Sequence, residues 1–212
     1  MKNENSFFLN LIKYTTVLAV IAALSGAVLF FVHEKTKSRI SENRKQQTDR
    51  AIREVLPRAE TIEPVGEGSG KPLYYIGKKD GSVCGYACEG SARGYSSEIS
   101  LIVGVAPDFN IKGVSVKSSQ ETPGLGERIK EKKRTVTITD QLLTDKTEKE
   151  NLRPWFLKQF NGKTLEQVRL SRGNTGDIHA ITGATISSRA VAEAVRRAVE
   201  TLKKEVNSSR TP

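Results

Sequence analysis

Two cysteines, Cys84 and Cys88, are all that the 212 residues contain. Cysteine-ligated iron–sulfur clusters need four thiolates and a zinc ribbon needs two pairs, so neither centre is available. The two histidines, His33 and His179, stand alone and make no metal site. In an extended strand the four steps from Cys84 to Cys88 span roughly 13 Å, too far for a disulfide unless the chain turns at Gly85. Buried structural thiols are expected. Aromatic residues are scarce, at 6%, and no stacking or zinc-knuckle pattern accompanies them. The formal charge of +10 is dispersed: Lys45 to Arg53 surround Asp49, and Glu127 to Arg134 mix both signs. A nucleic-acid partner is therefore not expected. There is no dinucleotide fingerprint, internal repeat, low-complexity tract or constellation of catalytic side chains.

What the chain does have is one long apolar run. Tyr14–Val32 carries 19 uncharged residues, which as a helix rise about 28 Å and nearly match a bilayer core. Phe7, Phe8, Leu9, Leu11 and Ile12 extend it backwards past Lys13, whose ammonium can snorkel to the interface. A cleaved signal peptide would have a shorter apolar core and an Ala-x-Ala site before Glu34, so a retained single-pass anchor is expected. Lys35, Lys37, Arg39, Arg44, Lys45 and Arg50 follow the span, against Lys2 and Lys13 before it. By the positive-inside rule that flank points to the cytoplasm, and it suits anionic lipid headgroups. Glu34–Leu56 reads as a helical stalk stopped by Pro57, and Thr61–Gly70, with Pro64 and three glycines, as a loop or linker.

Strand signals follow. Leu73–Ile76 is short and aromatic, Asp80-Gly81 is a hairpin turn, and Ser82–Cys88 is its second strand. Gly90 to Gly94 breaks the pattern. Ile99–Val105 is a compact apolar strand ended by Pro107-Asp108, and Ile111–Val116 alternates. Such strands, joined by short turns, predict an antiparallel meander. Thr122-Pro123-Gly124-Leu125-Gly126 interrupts the sheet, Glu127–Lys133 begins a helix, and Val136 and Ile138 alternate as a brief strand. Trp155 and Phe156 read as core.

The stretch that organises the chain is Asp177–Ser188, Asp-Ile-His-Ala-Ile-Thr-Gly-Ala-Thr-Ile-Ser-Ser. It passes from an apolar segment through a turn into Ile186–Val206, where Val191, Ala194, Val195, Ala198, Val199 and Leu202 recur at helical spacing. Thr182, Thr185, Ser187 and Ser188 offer capping hydroxyls for the first turn. The same amides and the helix dipole favour an anion, and Gly183 permits close approach.

Thr182-Gly183-Ala184-Thr185 resembles the [Ser/Thr]-Gly-Ala-Thr motif of the covalent FMN-binding domain family. That family includes G subunits of Rnf-type electron-transport complexes and C subunits of sodium-translocating NADH:quinone reductases. Glu121-Thr122-Pro123-Gly124-Leu125-Gly126-Glu127 is similar to the family's second motif, which packs beside the flavin. Gly94–Ile99 and the aromatic segments Pro154–Phe156 and Phe160–Lys163 also match in order. The family usually has Asp six residues before the modified Thr, within the pattern its flavin transferase reads; here that place holds His179, with Asp177 two positions earlier.

The resemblance implies an α+β fold: a single N-terminal transmembrane helix, then an FMN-binding domain with a largely antiparallel sheet and flanking helices. Its parts would be an anchor at 1–33, a stalk and linker at 34–70, the FMN domain at 71–206 and a tail at 207–212. It further implies FMN held by a phosphoester on Thr185, with Thr182, Gly183, Ala184, Glu121, Thr122, Pro123, Gly124, Leu125 and Gly126 around it. The implied role is an electron carrier in an ion-translocating Rnf-type complex, not an enzyme on its own. Its partners would be the other membrane subunits, a flavin transferase and membrane lipid. Placement in the inner membrane with the C-terminal domain on the outer face follows the family, against the charge rule. The alternatives are a quinone-reductase C subunit and a membrane-tethered binding module whose Thr-Gly-Ala-Thr turn merely caps a helix.

Overall fold

The computed structural model describes residues 2–66, 71–131, 154–171 and 178–208. Helix α1, Lys2–Val55, runs without a break through the apolar stretch and the polar segment after it. The chain divides into two compact units, 1–46 and 47–212. In the first, the side chains of Tyr14–Val32 are all exposed. Among the described residues this is the one helix long and apolar enough to cross a membrane. Soluble monomeric proteins seldom expose a continuous apolar surface of that size.

The second unit is built on a five-stranded antiparallel sheet in sequential order: β1 Thr61–Val65, β2 Tyr74–Lys79, β3 Ser82–Arg93, β4 Glu98–Val105 and β5 Ile111–Ser118. The expected α+β architecture with a meander is therefore present. Asp80 and Gly81 both take positive φ, 49° and 75°, as a two-residue hairpin with the right-handed twist of its strands requires. Two sequence expectations need correction. Thr61–Val65, read as linker, is a paired edge strand opposite Tyr74–Lys78; Pro64 is tolerated there because an edge strand has only one neighbour. Gly90, read as a break, lies inside β3. The expected strand at Val136 and Ile138 lies outside the described residues, and the helix expected from Glu127 is a 3₁₀ segment, Gly126–Lys130.

Each face of the sheet is covered by a helix. On one face lies α3, Thr185–Ser208, whose Val191, Val195, Val199 and Leu202 are fully buried against Ile99, Leu101 and Val103 of β4. Phe156 and Phe160, from the short helix α2 (Trp155–Lys158) and the turn after it, stack edge to face in the same core. Each such side chain contributes about 1.5–3 kcal/mol on leaving water. The other face carries the last turns of α1: Ala51, Ile52, Val55 and Leu56 meet Ala87 and Ile102, and the Ser115 hydroxyl donates to Glu54 at 2.6 Å. Successive residues of β4 thus serve opposite cores, as the pleat dictates. Cys88 is buried, its thiol pushed up to about 12 by burial, whereas Cys84 is only half-buried and both are free.

The close approach of α3 to the sheet depends on Gly90. A Cβ there would stand 2.5 Å from the Ala194 carbonyl oxygen and 2.8 Å from the Ala198 methyl. Gly90→Ala should destabilise the domain by about 1–3 kcal/mol through overpacking against backbone, measured by denaturant unfolding. Unchanged stability would show that α3 is free to lift off β3.

Candidate functional site

Three segments far apart in sequence meet at the N-terminus of α3. The first is the turn that leads into the helix. Ala184 N–H donates to the Ile181 carbonyl at 2.9 Å, and Gly183 takes φ +79°, a region open to glycine at no steric cost. The Ser188 hydroxyl accepts from Ile181 N–H at 3.0 Å and donates to the Ala184 carbonyl at 2.9 Å. One buried side chain thereby fixes both ends of the turn. Helical spacing then sorts the remaining residues. Ala184, Ser187 and Ser188 face the interior, while Thr182, Gly183, Thr185 and Ile186 are exposed.

The second and third segments are Gly94–Ser97, between β3 and β4, and Glu121–Gly126, beyond β5. Both are gathered by Glu121, which is only 5% exposed. Its carboxylate accepts the amide of Tyr95 at 3.1 Å and those of Ser96 and Ser97 at 3.0 Å each. The Ser187 hydroxyl donates to Oε2, the oxygen that also accepts the Tyr95 amide. There is no spare room. A Cβ on Gly94 would lie 2.5 Å from Glu121 Oε1, and one on Gly126 2.6 Å from Ser187 Oγ and 2.7 Å from Glu121 Oε2. Outside this clamp, Ser96 and Thr122 share a hydroxyl–hydroxyl bond of 3.0 Å. Leu125 Cδ2 lies 3.3 Å from the Cβ position of Gly183, so the second loop rests on the turn. Tyr95, Leu125 and Ile186 are all exposed. The product is a rim of exposed apolar and hydroxyl groups around a helix N-terminus.

Residues 94–200, which include all three segments, match the family model of the FMN-binding domain, and residues 1–55 match that of the RnfG N-terminal region. The chain is 32% identical over 196 residues to the G subunit of the ion-translocating oxidoreductase complex of Methanosarcina acetivorans, covering 89% of this chain and 92% of that one. The chain belongs to the RnfG family. A second relative is the G subunit of the Na(+)-translocating ferredoxin:NAD(+) oxidoreductase complex of Acetobacterium woodii, 32% identical over 203 residues and 89% of each chain. Among solved structures, the C subunit of the Na(+)-translocating NADH-quinone reductase of Parabacteroides distasonis has the same fold. Its TM-score is 0.54 at 16% identity, over 80% of this chain and 95% of that one.

In this RnfG-family chain the two glycine motifs picked out in the sequence, Thr182–Thr185 and Glu121–Gly126, are brought together. Within them Thr182, Gly183, Thr185, Pro123, Gly124 and Leu125 are exposed, Thr122 is half-buried, and Ala184, Glu121 and Gly126 are buried. Sequence reading took Ser187 and Ser188 for caps; the structure ties them to Glu121 and to the turn instead. The three amides of Tyr95–Ser97 were not singled out, although the Gly94–Ile99 stretch that holds them was matched to the family. His179 is exposed. Its backbone is held at both ends by the Gln159 side chain, which accepts from His179 N–H at 2.8 Å and donates to its carbonyl at 3.2 Å. That contact uses no property of the imidazole. Asp177 lies outside the described residues.

Burial pushes the Glu121 carboxyl up, but the Ser187 hydroxyl and the amides of Ser97, Tyr95 and Ser96 together outweigh it and hold the group below its ordinary 4.5. The folded state therefore releases this proton more readily than the unfolded chain. The resulting stability is fully present above the unfolded value, and is lost as pH falls through the lower folded value. Replacing Glu121 with Gln should flatten the acid limb of the stability–pH curve below about pH 5, read by thermal unfolding across pH 3–7. An acid limb as steep as in the wild type would assign that dependence to other carboxylates.

Proposed function

We propose that this chain is a membrane-anchored electron-carrier subunit of an ion-translocating Rnf-type complex, with FMN joined to Thr185 through a phosphoester. The observation that carries the reading is the position of Thr185. Its side chain is exposed at the first residue of a 24-residue helix, directly after a Gly183-Ala184 turn too small to obstruct a phosphate. Thr182 is also exposed but stands before the turn, and Ser187 and Ser188 are buried.

The residues present fit the cofactor. First-turn amides and the helix dipole favour a phosphodiester anion at Thr185 by about 0.3–1 kcal/mol. Gly183 and Gly124, both with φ near +75° or above, leave the rim low, and Leu125 and Ile186 offer apolar surface to a planar ring. Thr122, Pro123 and Gly126 shape the second loop, with Glu121 and Ala184 supporting the rim from below. When bound, FMN supplies the redox chemistry, taking and giving electrons one or two at a time. The protein supplies position, and a covalent tether keeps a surface cofactor at high effective concentration.

Tyr14–Val32 serves as the span, with 1–33 as anchor and the polar helical segment after it as the connection; the FMN domain takes in the last turns of α1 and strand β1 as well as 71–206. Basic residues after the span contact anionic lipid, and the FMN domain stands on the outer face of the inner membrane. A flavin transferase installs the cofactor, and the other membrane subunits exchange electrons with it. Both G-subunit relatives match along nine-tenths of the chain, which favours this assignment over a quinone-reductase C subunit.

Thr185→Val keeps the shape of the side chain and removes the oxygen that would bond phosphorus. Co-expressed with an active transferase, the wild type should show an added mass of FMN less one water on the peptide containing Thr185, and the variant none. An unmodified wild type, beside a standard substrate modified in the same cells, would leave a tethered module without flavin. A modified Thr185→Val chain would move the attachment to another hydroxyl. For topology, protease added outside right-side-out spheroplasts should digest the C-terminal domain. Digestion only after lysis would place the domain in the cytoplasm, as the basic flank alone would have it.

A further inference from the structure

We propose that Glu121 is a positioning residue: its carboxylate gathers the Gly94–Ser97 loop, the Thr122–Gly126 loop and the first turn of α3 into one preformed cradle, and the presentation of Thr185 depends on it. The flavin part of the test rests on Thr185 as the attachment residue; the structural part does not.

The geometry gives each carboxylate oxygen at least two donors. Oε1 accepts the amides of Ser96 and Ser97, and Oε2 accepts the amide of Tyr95 and the hydroxyl of Ser187. These donors stand 24 to 66 positions away in sequence, so no local turn propensity can replace the carboxylate. Three consecutive amides converging on one anion form a nest, filled here by the protein's own side chain. A further bond, Gln120 N–H to the Ser97 hydroxyl at 2.9 Å, ties the two loops beside it. Gly94 and Gly126 back onto the carboxylate from two sides, where a Cβ on either would collide with it. Ser187 is the link to the site, because it lies two residues after Thr185 in the same helical turn. Glu121 itself is buried away from the exposed rim. It therefore acts on Thr185 through the backbone it holds, not by contact with a bound group.

The chemistry demands an acceptor at both oxygens. Glutamine has the same size, but its NH₂ end is a donor. On either side it would face a backbone N–H, leaving at least one amide without its partner. Aspartate is one methylene too short to reach both segments at once.

The test compares the full-length chain as wild type, Glu121→Gln, Ser187→Ala and the distant core variant Leu202→Ala. Leu202 is buried toward the C-terminal end of α3 and serves as a control for general destabilisation. In cofactor-free protein, hydrogen exchange should accelerate on the order of tenfold or more at residues 95–97, 122–126 and 185–188 in Glu121→Gln, with β3 and β4 still protected. Ser187→Ala should show the same local pattern at smaller amplitude, and keeps the test informative should Glu121→Gln not fold. Leu202→Ala should not show it. With transferase present, the initial rate of flavin attachment should fall on the order of tenfold in Glu121→Gln and remain near wild type in Leu202→Ala. Unchanged local exchange in both Glu121→Gln and Ser187→Ala would overturn the proposal, as would the same pattern in Leu202→Ala. Loosened loops with wild-type attachment would also overturn it, since Thr185 would then be presented without the clamp. A wild type that takes no flavin would defeat the attachment reading alone, with the exchange comparison still deciding the role of Glu121.

Discussion

The contact on which the rest of this domain depends is the close seating of α3 on β3. Gly90 has no side chain, and Ala194 and Ala198 have almost none, so helix backbone and strand backbone approach nearly as far as sterics allow. A helix seated that closely has little freedom to slide. Its first turn is therefore fixed relative to the ends of β3 and β5, where the other two segments of the site begin. The apolar ladder Val191, Val195, Val199 and Leu202 supplies most of the driving force. Gly90 sets the distance at which that force is realised.

Electrostatics finishes what packing begins. A buried carboxylate is costly unless its lone pairs are met, and Glu121 meets that condition with three amides and a hydroxyl. Its partners are neutral donors, so the bonds fix geometry through direction as well as charge. The same carboxylate that would be a liability in an apolar core becomes the joint between two loops and a helix. The rim above it keeps its hydroxyls and apolar side chains turned outward.

The second face of the sheet has a different task. Ala51, Ile52, Val55 and Leu56 end the long first helix by burying it against Ala87 and Ile102. Gly104, whose Cβ position lies 2.7 Å from that of Val55, repeats on this side the close approach made by Gly90 on the other. The last turns of α1 are thereby part of the folded domain and not a free leader to it. The two small-residue contacts lie on neighbouring strands and opposite faces, so the central strands are held between two helices.

Much of this was legible in residue order. Nineteen uncharged residues specify a helix of bilayer length, alternation specifies β4 and β5, and the Asp80-Gly81 pair specifies a hairpin, because each depends on local periodicity or local backbone angles. The recurrence of Val, Ala and Leu from Val191 to Leu202 likewise fixed which side of α3 is buried. Tertiary structure decided what periodicity cannot reach. Gly90 looks like a strand breaker until a helix arrives to fill the space of its missing side chain. Pro64 looks like a loop residue until Thr61–Val65 finds an edge to pair with. Ser187 looks like a cap, and Glu121 like one more loop carboxylate, until a contact across 66 positions joins them. The apolar run, the strands and the last helix follow from forces between near neighbours. The cradle at Thr185 exists only because three distant segments are brought within hydrogen-bonding distance of one buried anion.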